Sequence, residues 1–342
     1  MKRIGITVGS DEDSGVPSYF KKNKKKFLIL DDMIDTSSNG YPYDYAIFAE
    51  AKSFEKKYNV EIVPLDGKNL DIKECNKCDF IFCIYEGTFN FMYFGNDAFN
   101  HYINTLKKTK AKVYPSVKMQ EFILYKNRYM KYLDKKCYDI IDTKYIPIKT
   151  YKSDKSRVLD GIEKFIVKND YKKIIIKPEL AGFKHGIKIY KSISMKNIKK
   201  HLDFIGKSTE YKHLLLQPFL EDFNKTWEIK TYWVLGKHVF SYGQKVSGDD
   251  FVFTKPKSKG GKLDDRLVNK VLKIGKELLK DLFNDYETLI QCRIDFGCCV
   301  KGDKEHYFIN EIEVCPTLSL EDAKEPYFHK IGEAVIKHCL MN

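Results

Sequence analysis

Tyr307-Phe-Ile-Asn-Glu311-Ile-Glu313-Val-Cys-Pro316, with Gln291-Cys-Arg293-Ile-Asp295-Phe-Gly297 upstream of it, is the part of the sequence that decides the fold. Both segments alternate apolar and charged residues. This is the pattern of a half-buried β-strand, in which side chains two apart share a face. Glu311 and Glu313 therefore point the same way, as do Arg293 and Asp295. If the two strands pair, three carboxylates and one guanidinium converge on one patch. Acids held this close repel one another unless cations neutralise them, and carboxylate oxygens are the hard ligands that magnesium prefers. The spacing predicts a metal-nucleotide site with Asp295, Glu311 and Glu313 as ligands. A solvent-facing sheet in which Arg293 merely pairs with the acids also alternates. What sets this patch apart is its flanking by Ile294, Phe296, Ile312 and Val314 and its closure by Pro316.

Working outward, strands are expected over 229–235 and 238–244 around the turn Gly236-Lys237. A polar Gly-Lys-Ser stretch follows at 258–262, then a helix over 266–282 and a closing helix near 327–340. From 144 to 223 the order is helix, strand, turn, strand, helix, strand, which is an α+β unit. The first 115 residues alternate strands (3–8, 27–30, 60–64, 80–85, 112–114) with helices (44–57, 97–107), the βαβ rhythm of a small, mostly parallel sheet. Pro115-Ser116 then opens one amphipathic helix through 134, with Met119, Phe122, Ile123, Met130 and Leu133 at helical spacing. The expected division is an N-terminal α/β domain (1–115), a central α+β lobe (116–225) and a C-terminal α+β lobe (226–342) carrying the metal site.

With 342 residues and 43% hydrophobic content, the chain can bury a core in two or three compact units. No run approaches the ~20 apolar residues of a membrane span, and the amino terminus reads as a strand, so a cytoplasmic protein is expected. The nine cysteines are scattered through apolar segments without disulfide-like spacing, which points to reduced core thiols, and Cys75-Asn-Lys-Cys78 lacks the second ligand pair of a zinc site. The formal charge of +13 comes almost wholly from lysine interleaved with acids. Arginine, the usual reader of bases and bidentate binder of phosphate, stands only at 3, 128, 157, 266 and 293. Nucleic acid is therefore not an expected partner, whereas a basic field favours a small polyanion such as Mg-ATP. Neither a Walker loop, nor a G-x-G-x-x-G turn, nor a G-x-S-x-G elbow occurs.

These segments resemble the ATP-grasp superfamily, and within it they are most similar to the D-alanyl-D-alanine ligases and related carboxylate-amine ligases. Arg293-Ile-Asp295-Phe is similar to the family's R-x-D-[FY] strand. Glu311-Ile-Glu313-Val-Cys-Pro316 is similar to its E-x-N-x-x-P, with Glu313 in place of the asparagine. The resemblance implies that Asp295, Glu311 and Glu313 hold magnesium, with manganese as an alternative, and that Arg293 is catalytic and faces the reaction intermediate. Ile174-Ile-Ile-Lys177-Pro178 followed by Gly182-Phe-Lys-His185-Gly186 looks like the strand and glycine-rich turn over the triphosphate, which implicates Lys177, Gly182 and His185. Independently, a lysine on an apolar strand before proline is costly unless an anion pairs with it. Leu214-Leu-Leu-Gln217-Pro-Phe219-Leu220-Glu221 looks like the hinge. There the Gln217 carbonyl and the Leu220 or Phe219 amide would hold adenine, and Glu221 the ribose, with Asp222 and Glu228 as alternatives. Lys126 stands where the first ATP lysine opens the central lobe, with Lys118 and Lys131 as substitutes, and Lys230 and Lys245 are further phosphate candidates.

The fold implied is the α/β (α+β) ATP-grasp fold: a small N-terminal sheet domain, then two α+β lobes that clamp ATP. The activity implied is ligation. Mg-ATP activates the carboxylate of a small molecule or peptide as an acyl-phosphate, releasing ADP, and an amine (or a thiol) displaces phosphate. Two other readings stay open: an ATP-grasp kinase acting on a hydroxyl, such as that of an inositol polyphosphate, and a nucleotide-binding protein without turnover. Glu86-Gly87 and Asn96-Asp97 do not reproduce the signatures of the D-alanine ligases, which argues against D-alanine as substrate. The sequence is silent on oligomeric state.

Overall fold

Apolar alternation resolves into three separate sheets. The computed structural model describes residues 1–9, 43–180, 186–207, 211–221, 226–247, 250–254, 265–301, 304–315 and 327–341. The strand expected over 27–30 and the polar stretch at 258–262 lie outside these residues.

The first unit runs β1 (Lys2–Val8), α1 (Tyr43–Lys52), α2 (Glu55–Tyr58), β2 (Val60–Asp66), α3 (Ile72–Cys75), β3 (Phe80–Cys83), α4 (Thr88–Phe94), α5 (Asn96–Lys108) and β4 (Lys112–Tyr114). Its strands are all parallel, in the order β2-β1-β3-β4. The unbroken apolar run Phe80–Cys83 is buried at every position, as expected of a strand covered by helices on both faces.

The amphipathic stretch that follows forms two helices rather than one, α6 (Val117–Leu124) and α7 (Lys126–Lys135). Ser116 caps the first, its side chain accepting the Met119 N–H at 3.2 Å. Tyr125 leaves helical geometry at φ −87°, ψ 93°, and the Lys126 N–H turns to the Glu179 carbonyl at 2.9 Å. That tertiary bond outweighs helix propensity, and it puts Lys126 at a helix start. Met119, Phe122, Tyr129, Met130 and Leu133 share a core with the C-terminal sheet.

The central sheet has the order β5-β8-β6-β7. It is built from β5 (Lys144–Pro147), α8 (Ile148–Ser153), α9 (Lys155–Lys168), β6 (Ile174–Pro178), β7 (Lys188–Tyr190), α10 (Met195–Lys207) and β8 (His213–Pro218). One face, with Ile174, Ile176, Leu214 and Leu216, packs on Ile162, Ile166, Ile198 and Leu202 of the helices. The other face carries Lys177 opposite Leu215, and Leu215 is buried with the C-terminal core.

The third unit comprises β9 (Glu228–Val234), β10 (Lys237–Ser247), β11 (Asp250–Thr254), α11 (Asp265–Asp285), β12 (Gln291–Lys301), β13 (Lys304–Glu313) and α12 (Tyr327–Met341). The sheet order is β11-β10-β9-β12-β13. Leu235 and Gly236 both take positive φ, 49° and 72°, in the tight turn between β9 and β10. Ile229, Trp233, Ile294 and Phe296 form the α11 side of the sheet. Burying each contributes about 1.5–3 kcal/mol. On the opposite side Tyr232, Val234, Tyr242 and Ile290 pack with α12 and with Ile47 and Ala51 of α1. The N-terminal unit thereby closes one end of the C-terminal sheet's free face. Among the described residues no helix is long and apolar enough to cross a membrane.

Candidate active site

Strand parity decides which side chains reach the space between the two lobes. β12 and β13 pair with Arg293 opposite Glu313 and Asp295 opposite Glu311, so the four charged side chains meet as the alternation predicts. The register then shifts between Asp295 and Phe296, leaving Asn310 as the extra residue of a β-bulge. The bulge keeps Tyr307 and Ile309 with the α11 core while turning Glu311 and Glu313 to the opposite face. Asn310 Nδ2 donates to Glu228 Oε1 at 2.9 Å.

Carboxylate oxygens of Asp295, Glu311 and Glu313 all lie within 4.8 Å of one another, with Asp295 only 1% exposed. Each acid has a cation. The Arg293 Nε and Nη2 donate to Asp295 Oδ1 and Oδ2 at 2.7 and 2.8 Å, and Nη2 also reaches Glu313. Lys230 Nζ lies 2.5 Å from Asp295 Oδ2 and 3.3 Å from Glu228 Oε2. Lys126 crosses from α7 to donate to Glu311. Burial opposes charge on Glu311, but Lys126, with help from Arg293 and Lys230, holds it down to about 2. Glu313 fares differently. Burial pushes it up to about 8; Arg293 pulls against this, and Glu311, Asp295 and Glu86 push the same way as burial.

Lys177 joins this group from the central sheet. Burial lowers its ammonium to about 8 and the Lys126 charge adds to this, while Glu311 and Glu228 counteract. Those neighbours place it in the same cleft as the acids, and it has no ion pair among the described residues. Of the lysines weighed with Lys126, Lys118 lies over the Tyr286 ring at 5.2 Å and Lys131 over Tyr145 at 4.8 Å. Lys126 is the one that reaches the acids. Lys245 is a correction: it sits one position out of step with Tyr242 and Gln244, which face Lys230 and Glu228. Its ammonium lies instead over Trp227 at 4.9 Å.

The hinge calls for a second correction. The Phe219 N–H donates to the Lys173 carbonyl at 3.0 Å, completing the β6–β8 ladder, so it is not free for a base. Leu220 is the remaining candidate amide. Gln217 is buried, its side chain donates to Thr143 Oγ1 at 2.8 Å, and its backbone stands opposite Ile175 in step with Phe219, so its carbonyl faces the same ladder and is not free for a base either. Glu221 pairs with Lys173 at the surface, away from the acid cluster. Glu228 lies inside that cluster, its carboxyl raised by burial and by Asp295 against the pull of Lys230. Gly182, His185 and Asp222 lie outside the described residues.

Sequence reasoning passed over Glu86 as a site residue. It follows β3 and accepts a hydrogen bond from the Thr88 hydroxyl. Burial raises its carboxyl, Lys126 and Arg293 lower it and Glu311 raises it, which places it across the cleft as a third wall. A signal was available. An acid just past the carboxyl end of a buried parallel strand stands where such sheets hold ligands. A separate cavity of about 480 Å³, lined by Cys137, Tyr138, Ile274, Glu277 and Asp281 among others, opens on the α11 side of the sheet and shares none of these charges.

No family model and no curated protein matches the sequence. Solved structures do match. D-cycloserine synthetase DcsG superposes with a TM-score of 0.64 over 98% of this chain and 99% of its own, at 13% identity. For D-alanyl-alanine synthetase A from Vibrio cholerae O1 the TM-score is 0.62, over 100% and 99%, at 11% identity. For the D-alanine–D-alanine ligase from Bacillus anthracis complexed with ATP it is 0.60, over 100% and 98%, at 15% identity. With nearly complete coverage of both chains each time, the architecture is the ATP-grasp fold.

Proposed function

We propose that this ATP-grasp chain is an ATP-dependent carboxylate-amine ligase that moves the terminal phosphate of Mg-ATP onto a substrate carboxylate and joins the acyl-phosphate to an amine. The observation that carries the reading is the cluster of Asp295, Glu311 and Glu313 on one lobe, with Lys177 of the other lobe near enough to feel Glu311 and Glu228. An ammonium with no ion pair among the described residues, close to a triple carboxylate, is an arrangement that a metal-bound polyphosphate completes.

Magnesium or manganese fits the donor set. All three groups are hard oxygen donors within 4.8 Å of one another, the donor type that these ions prefer. A divalent ion on Asp295, Glu311 and Glu313 would supply charge neutralisation at the phosphates. Lys126 and Lys177 neutralise the remaining phosphate charge, so that transfer depends on positioning and electrostatics rather than on a covalent enzyme intermediate. The Leu220 amide takes the adenine, and Glu228 the ribose. Arg293 stabilises the oxyanion that forms when the amine attacks. Glu86, a half-buried carboxylate with no cation salt-bridged to it among the described residues, takes an ammonium group of the substrate.

The test is to incubate the protein with Mg-ATP, hydroxylamine and a panel of amino acids and other carboxylic acids. Hydroxamate formed together with ADP supports the ligase. A phosphorylated hydroxyl compound without hydroxamate makes the protein a kinase. Nucleotide uptake with no ADP from any acid makes it a binding protein and overturns the reading.

A further inference from the structure

Glu179 and His213 have no part in the proposed reaction, yet their arrangement is that of a functional pair. The β6–β8 ladder continues past Pro178, where the Glu179 N–H donates to the His213 carbonyl at 3.2 Å, so the two residues stand opposite each other. Counting in twos from the Lys177–Leu215 pair puts both side chains on the face that carries Lys177. Glu179, 3% exposed, spends both carboxylate oxygens on its neighbour: Oε1 accepts the His213 backbone N–H at 2.9 Å and Oε2 lies 3.0 Å from Nδ1. The Glu179 carbonyl also receives the Lys126 N–H, which ties the pair to the lysine that reaches Glu311.

This double hold fixes the ring. Nδ1 carries a proton toward Glu179 and Nε2 points away, without a hydrogen-bond partner among the described residues, on a side chain that keeps 31% of its exposure. Burying a carboxylate is costly, and doing so to orient one half-exposed imidazole is a familiar device at binding and catalytic sites. β8 runs from His213 to the hinge at Pro218. His213 therefore stands at the end of the cleft away from the hinge, about 7 Å along the strand beyond the Lys177 pair. A nucleotide whose base lies at the hinge would direct its phosphates toward that end.

We propose that His213, oriented by Glu179, is a ligand of the nucleotide's terminal phosphate, with Glu179 as its positioning residue. This rests on the nucleotide-binding part of the proposed function. An imidazolium held between Glu179 and a phosphate donates one N–H to each. A diphosphate leaves Nε2 in water, so the pair separates triphosphate from diphosphate.

Calorimetry with Mg-AMPPNP and Mg-ADP tests this on the full chain. His213→Asn keeps a donor for Glu179 but has nothing at the Nε2 position. It is expected to lose about tenfold in AMPPNP affinity, the size of one charge-assisted hydrogen bond, with ADP affinity changed less than about twofold. His213→Gln places an amide near the Nε2 position and is expected to recover most of the loss. Equal losses for both nucleotides, or rescue by Asn rather than Gln, would mark a purely structural pair and overturn the proposal. If the wild-type protein takes up neither nucleotide, the functional reading itself has failed, and the proposal falls with it.

Discussion

The two walls of the cleft are charged in opposite ways. On the C-terminal wall every cation is claimed: Arg293 by Asp295 and Glu313, and Lys230 by Asp295 and Glu228, while Lys126 crosses over to Glu311. The ammonium groups of Lys230 and Lys126 are raised there, because attraction to the acids outweighs burial. On the central wall Lys177 has no such partner among the described residues, and burial lowers it to about 8. On one wall the buried Glu313 is pushed upward, and added positive charge would favour its carboxylate. On the other the lowered Lys177 would be favoured by added negative charge. Under the proposed function a metal-nucleotide supplies both at once, whereas a metal ion or an anion alone relieves only one side.

The largest expected effect comes from breaking the crowded wall at its centre. Asp295→Asn removes the acid that both Arg293 and Lys230 hold, and turnover measured as ADP release should fall about a thousandfold or more. Activity within about tenfold of wild type would mean that Asp295 serves the fold rather than the phosphates. Next is the bare wall. Lys177→Met should weaken Mg-ATP binding about a hundredfold by calorimetry. The same pair of walls makes opposite stability predictions for the nucleotide-free protein. Lys177→Met removes a partly buried charge with no ion pair among the described residues and should raise the melting temperature at pH 7. Arg293→Met takes the cation from Glu313, leaves Asp295 with Lys230 alone and should lower it. Shifts of the same sign would erase the distinction between the walls.

The C-terminal wall was legible in the sequence because alternation within each of two strands is a local signal, and pairing them needed only one assumption. What local pattern does not carry is contact between distant segments. Lys126 could not be separated from Lys118 and Lys131 by helical periodicity. The separation comes from the break at Tyr125, made by a hydrogen bond to Glu179, fifty-three positions along the chain (179 − 126 = 53). Nor did the two strands announce the bulge at Asn310, since a single extra residue leaves the apolar rhythm on either side intact. Glu86 was quoted in the sequence only as a failed match to a known signature, although its position after a buried parallel strand carried its own physical meaning. The hinge was legible as a segment but not atom by atom. Which amide is free depends on the ladder partner of Phe219, and which acid faces inward depends on whether a surface lysine such as Lys173 captures it.

The choice between hinge acids gives a smaller effect, which sharpens the comparison. Glu228 lies in the charged wall and Glu221 outside it. Glu228→Gln should therefore weaken Mg-ATP about tenfold while Glu221→Gln changes it less than about twofold, both read by calorimetry. The reverse order would move the ribose to the surface side of the hinge and detach Glu228 from the nucleotide.

The smallest effect probes the burial and crowding of Glu313 on the C-terminal wall. Glu313 is an acid whose folded-state pKa is raised from 4.5 to about 8 by burial and by Glu311, Asp295 and Glu86. For such a group the protonated form suits the fold. Its contribution is fully present below pH 4.5, is lost as pH rises toward about 8, and is absent above that. Glu313→Gln mimics the protonated form at every pH. Its stability in urea, without metal or nucleotide, should match wild type near pH 4.5 and exceed it by about 1 kcal/mol at pH 8.5, less than the full shift implies because Arg293 loses a partner. Saturating Mg-ATP should then reverse the order at pH 8.5, since wild type alone offers a third carboxylate to the ion. A gain independent of pH would mean that the variant improves packing, and the acids on this wall would no longer need a metal to account for them.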